Sequence, residues 1–170
     1  MKVHFARTSR FFLAAAIALV LTGVASARHD EDGCIADQTT LDQLKAARQA
    51  TAAFNSIQAA ENATYENIFL TVPNMGDHWV NWGLVDGVFE ADRPEAMVYA
   101  DLGNGRLQLV AVEYLAPYVA GAPPAGFSGT CDRWSPFPSP PAEPVFWTLH
   151  AWIWHPNMAG TFAKTNPMVP

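Results

Sequence analysis

Three side chains stand where their types invite chemistry. His78 lies in Asp77-His78-Trp79-Val80, Glu113 in Leu109-Val110-Ala111-Val112-Glu113-Tyr114, and His150 in Phe146-Trp147-Thr148-Leu149-His150-Ala151-Trp152. A carboxylate in so apolar a strand is exposed at the sheet's end, paired, or bound to a cation, because burying an unpaired charge is expensive. His150 poses the same question. If the strands carrying them are neighbours, the set is two imidazoles and one carboxylate with open coordination positions. That set suits zinc as a Lewis acid, or a redox iron or copper. Against this stands a structural reading, in which a His150–Glu113 pair satisfies both groups without metal. No HxH or HExxH spacing strengthens the metal side.

Other reactive types carry less. His29 sits in a polar N-terminal stretch, and Asp77 either orients His78 or caps a turn. Asp86, Glu90, Asp92 and Glu95 read as a solvated acidic loop without EF-hand spacing. Ser128 and Ser135 lack a GxSxG elbow, and Gly103-Asn104-Gly105 is a turn rather than a phosphate cradle. Because no general acid or base stands out, enzymatic activity stays open. The tryptophans Trp79, Trp82, Trp147, Trp152 and Trp154 read mostly as core, with some free to line an apolar or carbohydrate-like ligand cleft. A non-catalytic binding module of that kind, and an envelope interaction protein using a proline-rich loop, are the two alternatives to a metal site.

The elements that must position these groups are legible in the periodicity. Leu41, Leu44, Ala47, Ala50, Phe54 and Ile57 recur every three or four residues on an Ala-rich segment, which predicts one long amphipathic helix from Thr40 towards Ile68. Thr40-Leu41-Asp42-Gln43 has the form of a capping box at its start. Strands are expected over residues 78–82, 97–101, 106–114 and 145–154, the middle two forming a hairpin about Leu102-Gly103-Asn104-Gly105. Alternation along the second hairpin strand puts Leu107, Leu109, Ala111 and Glu113 on one face, and His150 on the same side as Trp152 and Trp154. Eight prolines between residues 117 and 144 predict a long loop. The fold class is therefore α+β, with the helix packed on one face of an antiparallel sheet. The other face is left for a cleft under the proline-rich loop.

The N-terminus reads as an export signal. Lys2, Arg7 and Arg10 form a basic start, residues 11–24 are almost entirely apolar, and Ala25-Ser26-Ala27 has the small-x-small cleavage pattern. The apolar run is about 14 residues, short of the roughly 18 to 20 that span a bilayer. Val24 stands where a lipoprotein would carry its lipidated Cys. The expected division is residues 1–27 as signal peptide, 28–39 as a flexible arm and 40–170 as one α+β domain, periplasmic or secreted, with no membrane span after cleavage. Cleavage removes three basic residues and no acidic one, taking the net charge from −6 to about −9. Such a surface disfavours nucleic acid as a partner. The two cysteines, Cys34 and Cys131, are expected to pair in an oxidising compartment, since no CxxC motif offers another use.

Several stretches together resemble a family of uncharacterised exported bacterial proteins. They are Ala46-Ala47-Arg48-Gln49-Ala50-Thr51, Asn74-Met75-Gly76-Asp77-His78-Trp79-Val80-Asn81, Arg93-Pro94-Glu95-Ala96-Met97-Val98-Tyr99, Gly103-Asn104-Gly105-Arg106-Leu107, Val112-Glu113-Tyr114 and Leu149-His150-Ala151-Trp152-Ile153-Trp154. Asn157, Gly160, Phe162 and Asn166-Pro167 resemble the family's ending. The Met-Gly-x-His and Leu-His-x-Trp-x-Trp motifs are its more specific parts. The resemblance implies no known activity, but it treats His78, Glu113 and His150 as one set. The chain departs at His155-Pro156, where members look like Lys-His. Many members also continue to a Cys where this tail ends at Pro170, so the Cys34–Cys131 pairing is expected to be peculiar to this chain.

Overall fold

The computed structural model describes residues 28–29, 34–139 and 141–170. The expected export signal, residues 1–27, lies outside the described residues. Two short strands, β1 (Arg28–His29) and β2 (Ile35–Ala36), pair antiparallel and lead into helix α1 (Gln38–Ala50). A 3-10 turn (Ala52–Asn55) and a short helix α2 (Ile57–Asn62) come next. The rest is a six-stranded antiparallel sheet. Its strands are β3 (Glu66–Val72), β4 (Gly76–Val80), β5 (Ala96–Asp101), β6 (Leu107–Pro117), β7 (Ser135–Phe137) and β8 (Phe146–Ala151), in the spatial order β3-β4-β5-β6-β8-β7.

The expected single long helix is not formed. α1 spans 13 residues and stops at Thr51, whose hydroxyl donates to the Ala47 carbonyl at 2.8 Å. The chain then turns so that the Phe54 carbonyl meets the hydroxyl of Tyr99 at 2.6 Å. A continuous helix would carry Phe54 and Ile57 past the sheet; the break lets both pack on it. The cap also differs from expectation. Asp37, not Thr40, closes the helix start, its Oδ1 accepting from the Thr40 N–H at 2.8 Å. The Gln43 side-chain oxygen Oε1, not used in capping, accepts instead from the Ser128 N–H at 2.8 Å.

The main core lies between the helices and one sheet face. It contains Trp79, Met97, Tyr99, Val112, Tyr114, Leu149 and Ala151, with Leu44, Phe54 and Ile57 packed against them. Tyr65, Tyr99 and Tyr114 each bury a ring here and donate the hydroxyl to a backbone carbonyl, of Pro94, Phe54 and Ala91 respectively. Each ring thereby pins a connecting segment without leaving its phenol unsatisfied.

A bulge in β6 overturns the simple alternation expected there. Val98 pairs with Ala111 but Tyr99 pairs with Leu109, so Val110 is the extra residue. Leu107 and Leu109 consequently join the helix-side core, whereas Ala111 packs with Val98 and Trp152 on the opposite face. The Val110 carbonyl, displaced from the ladder, accepts from the N–H of Trp154 and His155. Trp154 in turn leaves the face of His150, lying under the Arg48 guanidinium at 4.1 Å and donating to Thr51 Oγ1 at 3.0 Å.

The proline-rich segment does not lie over the opposite face as a whole. Its Phe127 packs on the helix side against Phe89, Tyr114 and Phe162, and Cys131 is bonded there to Cys34. Only the part that becomes β7 reaches round the sheet edge.

At the start of β4 the backbone of Gly76 runs against the neighbouring strand. Its φ is +97°, and a Cβ there would lie 2.5 Å from the Tyr99 carbonyl oxygen. Gly76→Ala is expected to cost about 2 to 3 kcal/mol from left-handed strain and backbone clash combined. Urea unfolding measures this, and a loss below about 1 kcal/mol would show that β4 shifts without penalty.

Candidate functional site

The three polar residues singled out in the sequence converge on the sheet face away from the helices. His78 projects from β4, Glu113 from β6 and His150 from β8, and they are 3 %, 6 % and 3 % exposed. Glu113 and His150 are direct cross-strand partners. His78 is two strands from Glu113, so roughly 9 to 10 Å of backbone separates them. The residue of β5 paired with Glu113 is Ala96, whose small side chain leaves room for the two longer ones to meet above it.

One ligating atom from each of the three residues lies within 4.8 Å of the others. Glu113 stands between the rings: Oε2 is 3.5 Å from His78 Nε2 and Oε1 is 3.6 Å from His150 Nδ1. Charge-assisted hydrogen bonds draw N and O to about 2.7 to 2.9 Å. Two ligand atoms on a tetrahedral zinc, each about 2.0 to 2.1 Å from the ion, stand roughly 3.3 Å apart. The observed spacing is nearer the second.

Each imidazole has a distinct setting. His78 Nδ1 lies 3.2 Å from the Leu70 carbonyl. A carbonyl only accepts, so this contact puts a proton on Nδ1 and turns Nε2 towards Glu113. The carbonyl is available because β3 bulges. Asn67 pairs with Trp79 and Thr71 with Asp77, leaving Ile68, Phe69 and Leu70 opposite His78 alone. Phe69 adopts φ +53° at the arch of this bulge and is 90 % exposed, while Asn67 Oδ1 accepts from its N–H at 2.7 Å.

His150 stacks on Trp152, with ring centroids 5.7 Å apart and planes 11° from parallel. Trp152 is itself held by hydrogen bonds from its ring N–H to the Ala163 carbonyl and from its backbone N–H to the Thr161 carbonyl. His150 Nε2 is buried without a hydrogen-bond partner. Burial holds this ring below its ordinary pKa, against the opposing pull of Glu113, so the neutral form that can donate a lone pair is favoured.

Beside the cluster is a cavity of about 80 Å³. Its walls are mostly apolar: Ile68, Leu70 and Val72 from β3, Leu115 from β6, and Phe137 and Phe146 from β7 and β8. The exposed Lys164 lies at its edge, donating to Ser139 Oγ at 2.9 Å. Two strands that local periodicity does not reveal, β3 and β7, thus build much of the wall. Of the tryptophans expected to line a cleft, Trp82 borders this cavity, and it is half exposed. Trp79 instead packs edge-on against Tyr99 in the helix-side core.

Other sequence candidates stand elsewhere. Asp77 takes the hydroxyl of Thr71 and does not orient His78. Ser128 Oγ donates to Asp37, and Ser135 lies beside Thr148. Among the described residues no other group of three His, Cys, Asp or Glu side chains is placed to hold a metal ion. No described helix is long and apolar enough to cross a membrane.

Glu95 departs from the solvated acidic loop expected of it. It is 3 % exposed, and Oε2 accepts from the Leu115 N–H at 3.1 Å. Burial pushes its carboxyl from 4.5 up to about 7, with its backbone hydrogen bonds opposing. The folded protein therefore binds more protons than the unfolded chain between these values. The stability conferred by the neutral acid is present below pH 4.5 and lost as pH rises through about 7. The loss amounts to roughly 3 kcal/mol. Urea midpoints from pH 4.5 to 8 are expected to fall less in Glu95→Gln than in the parent, and identical profiles would show that Glu95 does not set this pH dependence.

No protein-family model, curated protein or solved structure matches the chain.

Proposed function

We propose that the mature chain is an exported, periplasmic or secreted domain that binds one divalent transition metal ion through His78, Glu113 and His150. The observation that carries this is the convergence of three buried ligand atoms from three strands, all within 4.8 Å of one another, with each imidazole standing farther from Glu113 than a hydrogen bond would hold it. The Leu70 carbonyl supports it, fixing the tautomer and orientation of His78 as backbone acceptors do for metal-bound imidazoles. His150 has no such partner: its Nε2, the nitrogen turned away from Glu113, is buried and unpaired. Zinc, iron and copper all accept this donor set. The Cys34–Cys131 disulfide fits an oxidising compartment.

A second reading, a non-catalytic module taking a small apolar ligand, rests on the cavity itself. The two separate on elemental analysis of the mature protein purified without chelator, alongside His150→Ala. Near one equivalent of metal in the parent and none in the variant is expected. If neither holds metal after incubation with zinc, copper and iron salts, the metal reading fails and the cavity-binding one stands.

A further inference from the structure

We infer that the metal centre takes a short-chain aliphatic monocarboxylate as its exogenous ligand, the carboxylate on the ion and the alkyl tail in the adjoining cavity. This rests on the metal reading above and adds the chemical class of the ligand.

Charge comes first. Two neutral imidazoles and one carboxylate leave a divalent ion with a net charge of +1 in a site shielded from water. A low-dielectric setting makes that residual charge costly until an anion joins it. Lys164, the one cationic side chain among the described residues lining the cavity, adds a second attraction for a negative group. Glu113 supplies the one carboxylate among those lining residues, and it is already committed between the two rings.

Shape and polarity then limit the rest of the ligand. Beyond the metal-binding side chains, Ile68, Leu70, Val72, Leu115 and Phe146 offer no charge and no side-chain hydrogen bond, so the part that lies against them is hydrocarbon. An apolar cavity of about 150 Å³ takes benzene, so one of about 80 Å³ takes roughly three to five non-hydrogen atoms. Propionate has that size. A longer chain exceeds that volume, and a phosphate or dicarboxylate would press a second charge onto the aliphatic wall.

The test is calorimetric titration of the mature protein, loaded with one equivalent of zinc and assayed for zinc content, with sodium propionate, propionamide and sodium hexanoate. Saturable one-to-one propionate binding is expected, at least tenfold tighter than either comparison compound. Lys164→Met is expected to weaken propionate about threefold to tenfold, with the loss shrinking as salt rises. A zinc-loaded protein that binds no propionate, or binds propionamide or hexanoate equally well, overturns the ligand assignment while leaving the metal site intact. A protein that takes up no zinc removes the metal reading and this inference together.

Discussion

Glu113→Gln is expected to abolish the thermal stabilisation that zinc confers on the protein while changing the stability of the metal-free domain by no more than about 1 kcal/mol. The amide keeps the side chain's shape between the two imidazoles and can either donate to or accept from a ring nitrogen. What it loses is the negative charge. With free zinc at a hundred times the dissociation constant, the parent gains about 2.7 kcal/mol. For a domain of this size that raises the melting temperature by roughly 5 to 10 °C. A variant with hundredfold weaker zinc binding gains about 0.4 kcal/mol at the same zinc concentration, a shift near the limit of detection. Scanning calorimetry of both proteins, with zinc and with chelator, measures all four states. Equal zinc shifts would show that Glu113 is not a ligand, and a parent without a shift would count against metal binding as a whole.

The second large effect concerns the Cys34–Cys131 disulfide, which closes a loop across a sequence separation of 97 residues. A cross-link of that span lowers denatured-state entropy by an amount equivalent to about 4 to 5 kcal/mol in the chain-entropy model, and typical measured effects are about 2 to 4. The bond also joins segments that are stitched by weaker contacts. Thr130 N–H donates to the Ile35 carbonyl, the Ile35 N–H donates to Thr130 Oγ1, and Ser128 Oγ donates to Asp37. These contacts let the native arrangement persist without the covalent link, so the cost falls mainly on the unfolded side. The double variant Cys34→Ala, Cys131→Ala is therefore expected to fold with an unchanged near-ultraviolet spectrum yet lose about 3 kcal/mol in guanidinium unfolding. A loss under about 1 kcal/mol would mean the unfolded chain stays compact without its tether. A variant that loses the near-ultraviolet signal would place the bond's role in the native packing instead.

Much of this molecule was legible locally. The hairpin between β5 and β6 is set by its turn, where Asp101 Oδ1 accepts from the N–H groups of residues 103, 104 and 105, each at 2.9 Å. Glu113 and His150 stood out as polar groups in apolar strands, and His78 as an imidazole on a short one; all three are buried. The cysteine pair was readable because two cysteines 97 residues apart, with no CxxC spacing, have few uses other than pairing with each other.

Other features were decided only by long-range pairing. β3 reads as a helical continuation because its residues have no strand alternation until β4 pairs with it and a bulge sets Leu70 against His78. The extra residue Val110 inverts the faces of β6 part-way along, a change no period-two reading detects. Burial of Glu95, room for the cluster above Ala96, and the approach of Lys164 and Phe137 to one cavity likewise depend on strand order. The sequence by itself determined which residues are chemically conspicuous and which face of each short segment is apolar, because those depend on neighbours a few residues away. Only the tertiary structure decided which of them meet. Register, bulges and strand order are set by contacts between residues far apart in the chain, and local periodicity carries no record of those contacts.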